Sequence, residues 1–174
     1  MNTRTVAILL ALVATLAATG AWYHAHQSLQ ATRAQFLAGT LEPMAALLKD
    51  DQTLIAELQA DPFVEKDNGI LESYLIRIRR DGVAKNAPMK QRLDQLAENN
   101  TTLVALITAY SPQANAAASF TSEGSRFRNY AVAWRDRWNS VMELFMAGGN
   151  YPAAGPAFPK EFASALQQEI AAAR

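Results

Sequence analysis

The chain contains no cysteine and only two histidines among its 174 residues. Without cysteine it has no disulfides, no thiolate metal sites and no lipidated cysteine. Sixteen basic side chains balance sixteen acidic ones, so the formal net charge is zero. Nucleic-acid-binding domains usually carry a basic excess, and this balance argues against that class. A domain without disulfides depends on packing for its stability, and half of the residues here are apolar.

Motifs that would define a reaction or a cofactor site are also lacking. His24 and His26 are two positions apart, so on a helix they point about 200° apart and cannot chelate one ion together. Both lie in the N-terminal part of the chain, where no aspartate or glutamate is near in sequence, so no catalytic triad can be proposed. No glycine-rich phosphate loop is present, and no pair of acids stands out for acid–base chemistry. The sequence therefore predicts a non-enzymatic protein without a metal or cofactor.

The longest hydrophobic run extends from Val6 to Tyr23 and contains no charged residue. Its eighteen residues would span roughly 27 Å as a helix, close to the hydrocarbon thickness of a bilayer. Trp22 and Tyr23 end the run, where aromatic rings prefer the headgroup region, and Arg4 precedes it. We therefore predict a membrane anchor in residues 1–26, which contacts the membrane through residues 6–23 and keeps its N-terminus in the cytoplasm.

A cleaved signal peptide is the alternative interpretation of the same segment. Thr19, Gly20 and Ala21 are small residues at suitable spacing, so cleavage near Ala21 would release a secreted or periplasmic protein. Under either interpretation, residues 27–174 form one extracytoplasmic domain. A bacterial inner membrane with the domain in the periplasm is the setting that we expect.

Three later stretches repeat core-forming residues at alternating steps of four and three, the spacing of helices that pack side by side. Asn100 is the one polar residue among the large members of these stripes. Pro43 should kink the third stripe or end its first part. The stripes are Met89, Leu93, Leu96, Asn100, Leu103, Ile107 and Tyr110; Phe120, Gly124, Phe127, Ala131, Trp134, Trp138, Val141 and Phe145; and Ala34, Leu37, Leu41, Met44 and Leu48.

Two shorter helices complete the predicted fold. One has an apolar face from Ile70 to Ile78 and is closed by Gly82; the other follows Pro159 and buries Phe162, Leu166 and Ile170. The predicted helices 26–48, 88–111 and 125–147 have similar lengths, as an antiparallel bundle requires. The sequence thus predicts an all-α protein: an N-terminal transmembrane or signal helix, followed by an antiparallel bundle of about four to five helices.

Charge is distributed unevenly along the chain, with acids concentrated in residues 42–72 and bases in residues 77–92. Complementary solvated faces of neighbouring helices would explain this pattern. Arginine also binds carboxylate and phosphate groups with two parallel hydrogen bonds, so a site for an anion or an acidic partner is the second interpretation. Its candidate residues are Arg77, Arg79, Arg80, Arg126 and Arg128.

The connection over residues 148–159 is long for a helical bundle and rich in glycine and proline. Its prolines limit the entropy lost on docking, and Tyr151 and Phe158 offer apolar contact area. We hypothesise that both rings belong to a surface that docks a protein partner. The alternative is that they fold back and cap the bundle. For Asn100 the alternatives are a ligand contact and a buried polar residue that fixes helix register.

These features favour a membrane-anchored, extracytoplasmic interaction protein, an accessory or assembly subunit of a larger envelope complex. The alternative function is a helical bundle that senses or binds a small anionic ligand through clustered arginines.

Overall fold

A computed structural model of the chain describes residues 3–60, 69–113, 116–150 and 157–174; side chains are described from residue 18 onward, except at 20, 112 and 113. Over these residues the secondary structure is helical throughout and includes no strand, which confirms the all-α prediction. The α-helices are α1 (Thr3–Phe36), α2 (Glu42–Gln59), α3 (Ile70–Asp81), α4 (Ala87–Gln113), α5 (Ala118–Ala147) and α6 (Glu161–Ala173).

Helices α1 and α2 are joined by a π-helical turn, Leu37–Leu41, rather than by a loop. Pro43 occupies the first turn of α2. Proline has no N–H, and its ring collides with the carbonyl group four residues earlier in a regular helix. A wider turn relieves this conflict, and the N–H of Glu42 bonds to the carbonyl oxygen of Leu37, five residues back. The predicted interruption at Pro43 therefore widens the helix without ending it.

Glycines end two of the helices, as their positions in the sequence predict. Gly82 follows α3 with φ of 83°, and Gly148 follows α5 with φ of 67°. Both values lie in the region that glycine adopts without steric cost. Helix α5 begins at Ala118, earlier than the predicted start at residue 125, so residues 121–125 lie within the helix.

The core is formed by the predicted apolar stripes. All seven members of the α4 stripe are buried, from Met89 to Tyr110. In α5, the buried members are Phe120, Gly124, Phe127, Ala131, Trp134 and Val141, while Trp138 and Phe145 are half-buried. Leu41, Met44 and Leu48 are buried in the third stripe, whereas Ala34 is exposed. The two shorter helices bury the faces predicted for them.

Successive contacts define the direction of each helix. Asp50 and Glu57 of α2 pair with Asn99 and Arg92 of α4, so these helices are antiparallel. Gly124 of α5 faces Ile107 of α4, and Tyr110 packs against Phe120, so α4 and α5 are antiparallel too.

Helices α3 and α6 pack against different halves of α5. In α6, Phe162 packs against Phe120 and Phe127, and Glu169 accepts a bond from Ala117, so α6 is antiparallel to α5. Helix α3 runs parallel to α5, because Tyr74 packs against Trp138 and Arg79 bonds to the carbonyl oxygen of Leu144. Helix α6 therefore packs beside the N-terminal half of α5, and helix α3 packs beside its C-terminal half.

Helix α1 projects from the bundle, to which its C-terminal end is attached. Every described side chain from residue 18 to 35 is exposed, and Trp22, Tyr23 and Leu29 are 68%, 55% and 60% exposed. Phe36 is the point of attachment, since its ring packs edge-on against Tyr110. Within the described part of the chain, no helix is long and apolar enough to cross a membrane. The side chains of most of the predicted anchor, residues 6–23, lie outside the described part.

Candidate functional site

A polar layer interrupts the apolar core near the middle of α2 and α4. Asp51 of α2 is completely buried, and Asn100 of α4 is 1% exposed. The antiparallel register of α2 and α4, fixed by the Asp50–Asn99 and Glu57–Arg92 contacts, brings Asp51 and Asn100 to the same level of the core. None of the four side-chain polar atoms of Asp51 and Asn100 has a hydrogen-bond partner. Buried polar atoms are nearly always paired, so this level of the bundle stands out.

Two further polar side chains, Asn99 and Tyr130, border the same level; we define the polar layer as Asp51, Asn99, Asn100 and Tyr130. The buried Asn99 amide donates to the Asp50 carboxylate at 2.7 Å, and its oxygen accepts from Gln95 at 2.9 Å. Tyr130 of α5 is 6% exposed, and the charge of Asp51 contributes to raising its pKa. The polar layer is therefore built from three different helices.

The polar layer changes the acid–base properties of its members. Burial raises the pKa of Asp51 from its ordinary 3.8 to about 7, and the neighbouring charge of Asp50 adds to the rise. The Asn99 amide lies close enough to Asp51 to offset part of the rise, although its hydrogen bond goes to Asp50. Burial and then the charge of Asp51 raise the pKa of Tyr130 well above its usual range. A carboxyl group that exchanges its proton near neutral pH therefore lies inside the bundle.

Asn100 was recognised in the sequence as a polar member of a stripe, but Asp51 was missed. The stripe of α2 continues beyond Leu48 in the same spacing, through Asp51, Ile55 and Leu58. Asp51 occupies a core position of this stripe and Leu58 is buried with it. The interpretation of the acids in residues 42–72 as a solvated face is wrong for Asp51, which is completely buried. Extending the four–three spacing past Leu48 would have identified Asp51.

The candidate arginines of α3 are engaged within the protein. Arg79 donates to the carbonyl oxygens of Leu144 and Gly149 and to Asn150, where it satisfies the C-terminal end of α5. Arg80 forms an ion pair with Asp81 at 2.7 Å. The half-buried Arg77 contacts the sulfur atom of Met89.

The candidate arginines of α5 lie elsewhere. Arg126 pairs with Glu123 of its own helix, and Arg128 contacts Ser125. Along α5, Arg128 is sixteen residues from the Leu144 carbonyl group that Arg79 caps, which corresponds to roughly 24 Å. The structure therefore does not bring the α3 and α5 arginines together. Whether either group contacts an anion or a partner stays a prediction.

Of the two rings predicted to dock a partner, Phe158 lies within the described residues and Tyr151 outside them. The Phe158 ring is half-buried and packs edge-on against Phe127 and Tyr130, with centroid separations of 6.1 and 5.4 Å. This contact places Phe158 directly against the polar layer through Tyr130. It also favours, for this ring, the alternative in which it caps the bundle.

A second buried acid, Glu169 of α6, has a hydrogen-bond partner for each of its carboxylate oxygens. It accepts hydrogen bonds from the Tyr110 hydroxyl at 2.8 Å and from the N–H of Ala117 at 3.3 Å. Burial, and to a smaller extent the hydrogen bond from Tyr110 to Glu169, raise the pKa of Tyr110 above its usual range. Among the described residues, no group of three or more histidine and acidic side chains could hold a metal ion. His24 and His26 are exposed on α1.

Comparison with known proteins gives no relative: no protein family, curated protein or solved structure matches the chain.

Proposed function

We propose that the protein is a membrane-anchored, extracytoplasmic interaction module, an accessory or assembly subunit of a larger envelope complex. Residues 6–23 hold it in the membrane, and the helical bundle presents its surface to a protein partner. The observation that carries the proposal is the exposed N-terminal helix. The bundle buries none of the described side chains of this helix from residue 18 to 35, and a link between an anchor and a domain explains such a helix.

The composition of this helix supports the same arrangement. Trp22 and Tyr23 are exposed apolar rings at the end of an uncharged run, where a membrane–water interface would cover them. From residue 24 to Phe36, thirteen helical residues would hold the bundle about 20 Å from that interface. Arg33 is the one charged residue of this stretch. Direct packing of Phe36 on Tyr110 would couple the position of this helix to the bundle.

The interaction part of the proposal is supported by the filled core. The bundle core consists mainly of close-packed apolar and aromatic side chains, as expected of a scaffold. The arginines of α3 and those of α5 lie apart. They therefore give no support to the alternative that the bundle binds a small anionic ligand. Partner recognition is therefore assigned to the outer surface, with the connection over residues 148–159 as its candidate.

A substitution in this connection tests the interaction proposal, because it should cause the loss of a bound partner. We expect full-length Tyr151→Ser, purified in detergent, to lose proteins that co-purify with the unchanged chain. Its melting temperature should stay the same, because a docking ring contributes little to the isolated fold. Affinity purification with mass spectrometry gives the first result, and a thermal melt gives the second.

Two comparisons make the result decisive. Met146→Ser alters a side chain that is 80% exposed and lies outside the candidate connection, so it should keep the partner. Adding Phe158→Ser should lower the melting temperature, since that ring packs on Phe127 and Tyr130. Undiminished partner recovery by Tyr151→Ser would remove this connection from the proposal.

A further inference from the structure

Asp51 is a buried acid that the proposed function leaves unused. Its carboxyl oxygens are shielded from solvent and have no hydrogen-bond partner. An ionised carboxylate in such a place loses the hydration that it has in the unfolded chain, and only the Asn99 amide offsets part of this loss. Water entry or protonation would each relieve this cost. The state of Asp51 is therefore coupled to whether the layer stays closed.

Burial and a neighbouring charge favour the neutral form of Asp51. On its own helix the nearest charge is Asp50, which has the same sign. From α4 the facing group is the uncharged amide of Asn99, which offsets part of the effect, and from α5 it is the phenol of Tyr130. The buried acid of α6, Glu169, is committed to Tyr110 and Ala117 nearer the opposite end of α4 and α5. None of these described groups supplies a positive charge to Asp51.

The polar layer has a less firmly packed boundary at Phe158. This ring precedes α6, is half-buried, and covers Tyr130 at 5.4 Å. Tyr130 in turn interacts with the charge of Asp51. The ring contact between Phe158 and Tyr130 and the electrostatic interaction between Tyr130 and Asp51 therefore link the buried carboxyl group to the segment before α6. Other boundaries of the layer are the long helices α2, α4 and α5, whose movement would disrupt the whole core.

We propose that Asp51 and Phe158 form a pH-sensitive switch. With Asp51 protonated, the segment that joins Phe158 to α6 packs on Tyr130. With Asp51 ionised, water enters the polar layer and this segment separates from the bundle. Separation exposes the Phe158 ring together with the surface of Tyr130. The inference goes beyond the proposed function and does not depend on a membrane anchor or a particular partner.

The direction of the response follows from the pKa of Asp51. In the unfolded chain the carboxyl group titrates at its ordinary 3.8, whereas in the folded bundle it does so at about 7. The folded state thus binds the proton more tightly, and stability falls as the pH rises from about 4 to about 7. The closed form is favoured in mildly acidic solution, and the open form is favoured above neutral pH.

The first measurement uses the unchanged full-length chain in detergent. Titration of the Asp51 side-chain carboxyl carbon by NMR should give a midpoint near 7. A midpoint close to the ordinary value of aspartate would overturn the proposal. This result does not depend on a variant that might fold poorly.

The second measurement follows the melting temperature from pH 5.5 to 8. We expect the unchanged chain to lose about 4–8 °C over this range because of Asp51. Asp51→Asn preserves the size of the side chain and removes its titration, so this part of the loss should vanish. Asp50→Asn, which removes a like charge next to Asp51, should move the midpoint to lower pH and make the loss smaller, because the folded-state pKa of Asp51 then lies closer to its unfolded value. Equal pH dependence in the unchanged chain and in Asp51→Asn would contradict the switch.

The third measurement tests movement of the segment itself. Hydrogen exchange, corrected for its intrinsic pH dependence, should show the first turn of α6, where the N–H of Phe162 bonds to the Pro159 carbonyl oxygen, losing protection between pH 6 and 8 in the unchanged chain. Helix α4 should keep its protection over the same range. In Asp51→Asn the protection of α6 should not change with pH. Parallel loss of protection in α4 and α6 would show general unfolding instead of a local switch and would refute the assignment to Phe158.

Discussion

Replacing Phe127 with alanine is expected to lower the free energy of unfolding by about 3–5 kcal/mol. Phe127 is completely buried and lies at the centre of an aromatic cluster with Tyr130, Phe158 and Phe162, whose ring centroids are 5.9, 6.1 and 5.0 Å away. Alanine would remove the ring and leave a cavity between α5 and α6. Denaturant unfolding of the detergent-solubilised chain, followed by circular dichroism, measures the change.

Met146→Ala on the same helix is the control for this experiment. Its side chain is 80% exposed, so the change should stay within about 0.5 kcal/mol. A loss below about 1 kcal/mol for Phe127→Ala would mean that α6 does not pack on α5 as described. The aromatic cluster would then not be part of the core.

Gly124→Leu is expected to destabilise the bundle by about 1–3 kcal/mol, despite the better helix propensity of leucine. At Gly124, even a Cβ atom would lie 2.9 Å from the Ile107 Cγ2 atom of α4 and 3.8 Å from the Phe162 ring of α6. The three helices meet closely at this point because glycine has no side chain. A leucine would force α4 and α6 away from α5.

The same substitution at Gly39 provides the matched control. An added Cβ atom at Gly39 meets nothing within 4 Å, so Gly39→Leu should be neutral or should stabilise by up to about 1 kcal/mol. The two glycine changes therefore differ in sign, which a pair of thermal melts would reveal. Stabilisation by Gly124→Leu would contradict the close approach of α4, α5 and α6.

Much of the fold could be predicted from the sequence because most of the core obeys one spacing rule. The α4 stripe from Met89 to Tyr110 is buried at every position, and Gly82 and Gly148 end their helices. Helix boundaries were less accurate, since Pro43 could be accommodated by a wider turn and residues 121–125 could continue a helix. Local preference leaves such choices open, and packing of the neighbouring helices decides them.

Helix directions and the site could not be derived in the same way. Parallel packing of α3 on α5 depends on contacts between residues more than sixty positions apart, such as Tyr74 with Trp138. The stripe of α2 marks Asp51 as a core position, but its placement level with Asn100 depends on the register between α2 and α4, which no local pattern specifies. For the arginines, the sequence indicates charge but not the internal partner, and Arg79 is used to cap α5.

Labelling of single cysteines tests most directly the claim that the bundle is held outside a membrane by its N-terminal helix. The chain has no cysteine, so each introduced thiol reports one position without background. We expect a membrane-impermeant maleimide to label Met146→Cys in intact spheroplasts, and to label Thr3→Cys only after the membrane is permeabilised. Protection of Met146→Cys until lysis, with the protein in the soluble fraction, would contradict the account.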